Sequence, residues 1–293
     1  MNTIIQFLIR SLFKIISLFN NTLSAKAAFY FFQKTYPKKL SDNEKEFYQN
    51  TSNFIIENEV EQTKVFEMGN PQNPSIILVH GWNSNAGSMA GIAEKLVEKN
   101  YHVILFDLPA HGSSSKKRTN IKECKIVFQS IFKRFKEDKP LSVVSHSFGS
   151  AVSAYALSEL KEQINQLIFL TSPNKLEELF QELRKILALN QKTYEEVLLL
   201  AENFLAEPLD DISVLKKSKL IDYKQLTLIH DEFDKILPIE YSRLLVNHLD
   251  KAQLISFKKV GHYRMLWNKQ VIESISDINF SSINSPQANE LVA

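Results

Sequence analysis

The chain has 293 residues, 44% of them hydrophobic and 23% charged, which allows one large α/β domain or two small ones with a sizeable core. Thirty-five basic residues against thirty-three acidic ones leave a net charge of +2, so no bulk field points to nucleic acid or another polyanion. The single cysteine, Cys124, excludes an internal disulfide and fits a reducing, cytoplasmic setting, and no Cys/His cluster has metal-ligand spacing.

The first element is "IIQFLIRSLFKIISLF", residues 4–19. Its polar positions Gln6, Arg10, Lys14 and Ser17 recur at helical spacing and leave a broad apolar face with a thin basic stripe. The run is crossed by two charges and falls short of the roughly 20 apolar residues that a membrane span needs. A signal peptide would carry Lys or Arg before the apolar run, and none stands there. The expectation is an amphipathic helix, with two readings open: peripheral contact with a membrane surface, or packing on the protein's own body or on another subunit. Residues 1–40 are accordingly read as an N-terminal helical segment ahead of a body at 41–280, with 281–293 a polar tail expected to be disordered.

Ser41 and Glu44 form a capping-box pair at the start of a short helix. Phe54 to Glu57 and Thr63 to Met68 read as a hairpin. After it the pattern changes. "SIILVH", "HVILFD", "LSVVS", "LIFLTS" and "LTLIH" are short continuous apolar runs, separated by helix-like stretches such as Gly91 to Lys99 and Lys122 to Lys136. Continuous hydrophobicity predicts strands covered on both faces, and alternation with helices predicts parallel crossovers. The fold class is α/β: an open, mostly parallel twisted sheet with helices on both faces.

In such sheets, ligands bind beyond the carboxyl ends of the strands. The chain leaves its apolar runs through "HGW" (80–82), "DLPAHGSS" (107–114), "SHSFG" (145–149), "HDEFDKILP" (230–238) and "GHYRM" (261–265). Glycines in these exits mark tight turns or close backbone approach.

"SHSFG" resembles the nucleophile elbow of the α/β-hydrolase family, usually G-x-S-x-G, a strand-to-helix turn that exposes a serine oxygen. Ser147 is the matching serine, and Ser145 replaces the first glycine with another small residue. The strand-like run before it and the helix-like "SAVSAYALSEL" after it supply the motif's context. The family's chain order is Ser, then Asp or Glu, then His. The resemblance therefore implies His262 as the base and Asp234, ahead of Ile236, Leu237 and Pro238, as the acid that orients it, with Asp231 the alternative acid. It further implies an oxyanion hole from the backbone amides of Trp82 and Phe148. His80 is expected to hold its loop and His111 to shape the turn at the pocket mouth. His102, His146, His230 and His248 are expected to be structural.

Residues 174–222 contain two stretches, "KLEELFQELRKILALN" and "TYEEVLLLAENFLAE", with apolar positions at helical spacing. The family resemblance implies a helical cap there, lining an acyl pocket. The basic run Lys116, Lys117 and Arg118 reads as a solvated loop, with anionic headgroup or phosphate binding as a lesser alternative. Taken together, the resemblance implies a serine hydrolase acting without metal or cofactor on a small-molecule carboxylic ester or thioester with an apolar acyl group. The same residues would also suit acyl transfer or carbon–carbon bond hydrolysis, and the fold is compatible with a non-catalytic binding protein.

Overall fold

The computed structural model describes residues 3–36, 39–136 and 141–281; most of the polar tail, residues 282–293, lies outside the described residues. Eight strands form one sheet: β1 (Ser52–Glu57), β2 (Gln62–Met68), β3 (Ser75–Val79), β4 (His102–Phe106), β5 (Ser142–His146), β6 (Ile164–Leu170), β7 (Tyr223–Asp231) and β8 (Ala252–Phe257). Eleven α-helices accompany them among the described residues: α1 (Thr3–Phe19), α2 (Asn21–Phe32), α3 (Asp42–Asn50), α4 (Ala90–Glu98), α5 (Ile121–Phe135), α6 (Phe148–Leu157), α7 (Leu176–Leu187), α8 (Gln191–Leu205), α9 (Val214–Ser218), α10 (Glu240–His248) and α11 (Lys269–Ser276). The strand order is β1-β2-β4-β3-β5-β6-β7-β8. The hairpin β1–β2 is antiparallel and pairs antiparallel with β4, and every later pairing is parallel.

The apolar runs become central strands because each alternate residue finds a helix layer. Ile77, Val79, Ile104, Phe106, Val143 and Phe169 face one layer, where Val127, Phe128 and Phe132 of α5 meet them. Ile76, Leu78, Leu105, Val144 and Ile168 face the other, built by α4 and α11. Every residue of β4 and β5 is buried as a result. Cys124 lies within the first layer, fully buried.

Register brings the strand exits to one rim. Val79 pairs with Ser145, His146 with Leu170, and Asp231 with Phe257. Helix α6 starts so tightly against β3 that a Cβ at Gly149 would lie 2.5 Å from the carbonyl oxygens of both Val79 and His80. No side chain fits there, so this glycine sets how closely the two elements approach.

The N-terminal segment holds two helices where sequence periodicity indicated one. Asn20 breaks the run with an extended backbone, and its side chain accepts the Leu23 amide, capping α2. Ser24, Ala25 and Ala28 are buried on α2, and these small side chains let the helix pack closely on α8. Asn21 Oδ1 accepts hydrogen bonds from Asn190 Nδ2 and Thr193 Oγ1, each 3.0 Å, at the start of α8. Helix α1 packs on α2 and α7 along one side, burying Phe13. Among the described residues no helix is long and apolar enough to cross a membrane.

In the 174–222 stretch, α7 and α8 stand beside α2, whereas α9 returns to pack on α6. Replacing Gly149 with alanine should force α6 off β3. The expected cost is about 1–3 kcal/mol of overpacking, read as a melting temperature lowered by several degrees in a thermal scan.

Candidate active site

Ser147 occupies the bend between β5 and α6 with φ 53° and ψ −122°, a sparsely populated conformation for a residue with a side chain. The residue before this bend explains the departure from the glycine-first motif. Ser145 is fully buried, and its hydroxyl lies 2.7 Å from that of Ser153 on α6, so a side-chain hydrogen bond joins strand and helix at the crowded point.

The exit of β8 delivers the second member. Gly261, with φ 77°, turns the chain so that His262 Nε2 lies 3.0 Å from Ser147 Oγ. On the other side of the ring, His262 Nδ1 lies 2.8 Å from Asp234 Oδ2. Burial acts to raise the Asp234 carboxyl, but the hydrogen bond and charge of His262 and the amides of Ile236 and Leu237 outweigh it and hold the group below its ordinary value. Those amides donate to Oδ1 at 2.7 and 3.1 Å. An ionised Asp234 holds the proton on Nδ1 and turns the lone pair of Nε2 toward the serine.

Asp231, the alternative acid, is occupied elsewhere. Its Oδ1 accepts the amides of Phe233 and Lys259 at 3.1 and 2.8 Å, and its Oδ2 accepts that of Gly261 at 2.5 Å. It therefore ties the turn bearing Asp234 to the loop bearing His262. Two histidines reinforce the same frame. His146 Nε2 donates to the carbonyl of His262 at 2.9 Å. His230 Nε2 donates to the carbonyl of Leu237 at 3.0 Å while Nδ1 meets Ser242 Oγ at 2.7 Å.

The opposite side of the rim is held by His80 and Asp107. His80 Nδ1 donates to Gly81 O at 2.8 Å and Nε2 accepts the Leu108 amide at 3.0 Å. Asp107 accepts from Ala86 N, the Tyr48 hydroxyl, Ser113 N and Ser113 Oγ. The Gly81 backbone passes so near the elbow that a Cβ there would lie 3.2 Å from Ser147 Cβ. The amide of Trp82 follows directly, and that of Phe148 is the first of α6, where no preceding turn supplies an acceptor. Their side chains meet edge to face at 5.1 Å.

A cavity of about 830 Å³ opens onto Ser147 and His262. Phe180 and Leu183 of α7 and Phe204 of α8 line it. Sequence reading missed the opposite wall, where Phe29, Phe31 and Phe32 of α2 also face the cavity. The available signal was "FYFF" itself, an aromatic cluster one helix away from the amphipathic run. Of the basic run, Lys116 pairs with Glu123 at 2.9 Å and Arg118 stacks 3.5 Å above the Tyr30 ring. These two residues tie their loop to its neighbours.

This arrangement, on this sheet, defines the class. Residues 74–214 match the family described as alpha/beta hydrolase fold, and solved structures of other hydrolases share the fold of this chain. Over 134 residues it is 29% identical to a serine hydrolase-like protein of Homo sapiens, covering 44% of this chain and 64% of that protein. It is 30% identical over 113 residues to an uncharacterized hydrolase, YugF, of Bacillus subtilis (strain 168), covering 36% and 40%. The chain spans less than two thirds of the length of the curated relatives it matches. Among solved structures, the Pyrococcus furiosus esterase Pf2001 superposes with TM-score 0.62 at 21% identity, over 84% of this chain and 96% of that one. A membrane phospholipase A, described as a bacterial virulence factor, does so with TM-score 0.60 at 15% identity, over 92% and 94%.

Burial lowers His80 to about 4, and burial, with smaller contributions from neighbouring histidines, lowers His111 and His146 to about 3. In the unfolded chain these imidazoles titrate near about 6.5. Between those values the unfolded state binds more protons than the folded one, so stability rises with pH across the window and is lost on acidification. The melting temperature should hold above pH 7 and fall steadily from about pH 6.5 toward pH 4. A flat profile over that range in differential scanning calorimetry would contradict the burial of neutral imidazoles.

Proposed function

We propose that this protein is a serine hydrolase that cleaves carboxylic esters or thioesters with an apolar acyl group, through an acyl-serine intermediate. The observation that carries the reading is the contiguous hydrogen-bonded line from Ser147 Oγ through His262 to Asp234, at the end of a cavity walled by phenylalanine and leucine.

In this mechanism His262 Nε2 takes the Ser147 proton as Oγ adds to the acyl carbonyl. The oxygen that gains charge is met by the amides of Trp82 and Phe148 and by the positive end of α6. Collapse of the tetrahedral intermediate breaks the bond to the leaving alcohol or thiol, which receives the proton from His262. Water then adds to the acyl-serine, giving its proton to His262, and a second collapse returns that proton to Ser147 and frees the carboxylic acid. Asp234 stabilises the imidazolium at both stages without itself taking the proton.

Purified protein should hydrolyse p-nitrophenyl esters, and Ser147→Ala should lower turnover by about a thousandfold or more. Fluorophosphonate should label the wild type and leave that variant unlabelled. Asp234→Asn should lose on the order of 10⁴ in kcat with little change in melting temperature, whereas Asp231→Asn should lower the melting temperature and reduce turnover far less. Equal turnover by wild type and Ser147→Ala would refute the assignment. Leu183→Trp, which fills the cavity wall, should raise KM for long-chain esters and leave acetate hydrolysis unchanged.

A further inference from the structure

Helix α1 has more apolar surface than its own fold uses. At 3.6 residues per turn, Ile9 and Phe13 fall on the side that packs on the body, and Gln6 on that side lines the cavity. The opposite arc, about 140° wide, carries Phe7, Leu8, Leu12, Ile15, Leu18 and Phe19, with relative exposures of 68, 59, 55, 54, 82 and 86%. Six large apolar side chains in one exposed row are far more than isolated surface hydrophobics and mark an interaction surface.

Charge selects the partner. The first 41 residues contain no Asp or Glu, while Arg10, Lys14, Lys26, Lys34, Lys38 and Lys39 are basic. Lys14 and Lys26 are exposed, and Lys14 lies on the border of the apolar arc. An apolar face with basic flanks matches a bilayer that carries anionic headgroups. Against a second copy, the same face would set like charge on like charge.

The helix is also built into the rim of the cavity. Arg10 donates from Nε to Ile186 O at 3.0 Å and from Nη2 to Lys185 O at 3.1 Å, at the end of α7. Ile186, itself 40% exposed, lines the cavity together with Gln6 of α1. Helix α1 thus carries the exposed row on one side and contributes to the cavity wall on the other.

We propose that α1 docks this protein on an anionic bilayer and that the site hydrolyses acyl lipids drawn from that bilayer; the second half rests on the serine hydrolase reading above. The acyl chain would pass from the membrane along α1 and the end of α7 into the cavity, and hydrolysis would release a fatty acid and the remaining alcohol.

The test uses the full chain with vesicles of phosphatidylcholine containing about 30% phosphatidylglycerol, followed by sedimentation and by release of fatty acid. Wild type should co-sediment, and binding should fall at least about tenfold on pure phosphatidylcholine or in about 1 M salt, where the Debye length is about 3 Å. Leu12→Glu with Ile15→Glu should lower vesicle binding and lipid hydrolysis by about tenfold or more, while turnover of a soluble short-chain ester stays at the wild-type value. Unchanged vesicle binding by the double variant overturns the docking proposal. So does a wild type that ignores vesicles and forms a dimer that the double substitution dissolves. Cleavage of soluble ester without cleavage of vesicle lipid overturns the lipid-substrate half alone, and failure to cleave either, with docking intact, overturns the serine hydrolase reading instead.

Discussion

The contact on which the site depends is the press of α6 against the end of β3. With only a hydrogen at Gly149, the helix can begin within touching distance of the Val79 and His80 carbonyls. That proximity fixes the strained backbone of Ser147, since the chain has one residue in which to leave β5 and enter α6. It also brings the loop carrying Trp82 beside the helix N-terminus, where amides without intrahelical partners point outward. Geometry at this one point thus decides both where a serine oxygen stands and where donors for an oxyanion would lie.

The far side of the site is assembled by a different device. Asp234 and His262 come from loops that follow different strands, β7 and β8. Asp231, at the last position of β7, gathers amides from both loops onto one buried carboxylate. His146 adds a bond from the elbow strand to the backbone of His262. Three exits of the sheet are therefore linked by hydrogen bonds from the side chains of Asp231 and His146 to backbone groups, before any side chain of the Ser–His–Asp line is counted. Preorganisation of this kind is what catalysis by a neutral hydroxyl requires, because the serine gains reactivity only when the base is held in place.

Much of this was legible because the chemistry is local in sequence. Continuous apolar runs announce buried parallel strands, and polar residues after each run announce the rim. Ser147, Asp234 and His262 each stand at such an exit, and the structure brings the three together. Less legible were features that depend on distant partners. Helix α2 has a weakly amphipathic pattern, since alanines face its neighbour and phenylalanines face a cavity, and neither surface is polar. The hydroxyl pair of Ser145 and Ser153 spans strand and helix, so spacing alone carries no sign of it. The role of Asp231 was hidden for the same reason: two of its three amide partners stand some thirty positions downstream, at Lys259 and Gly261.

The cavity's two walls are made far apart in time as well as in sequence. Helix α2 leaves the ribosome early, yet the surface that covers its small residues belongs to α8, and Asn21 waits for Asn190 and Thr193. During that interval Phe29, Phe31 and Phe32 have no native shelter, and such unshielded aromatics favour association between nascent chains. Closure of the long loop between α2 and α8 therefore carries an entropic cost. Shortening the N-terminus for ease of production would relieve that demand, at the cost of leaving one side of the cavity open to water.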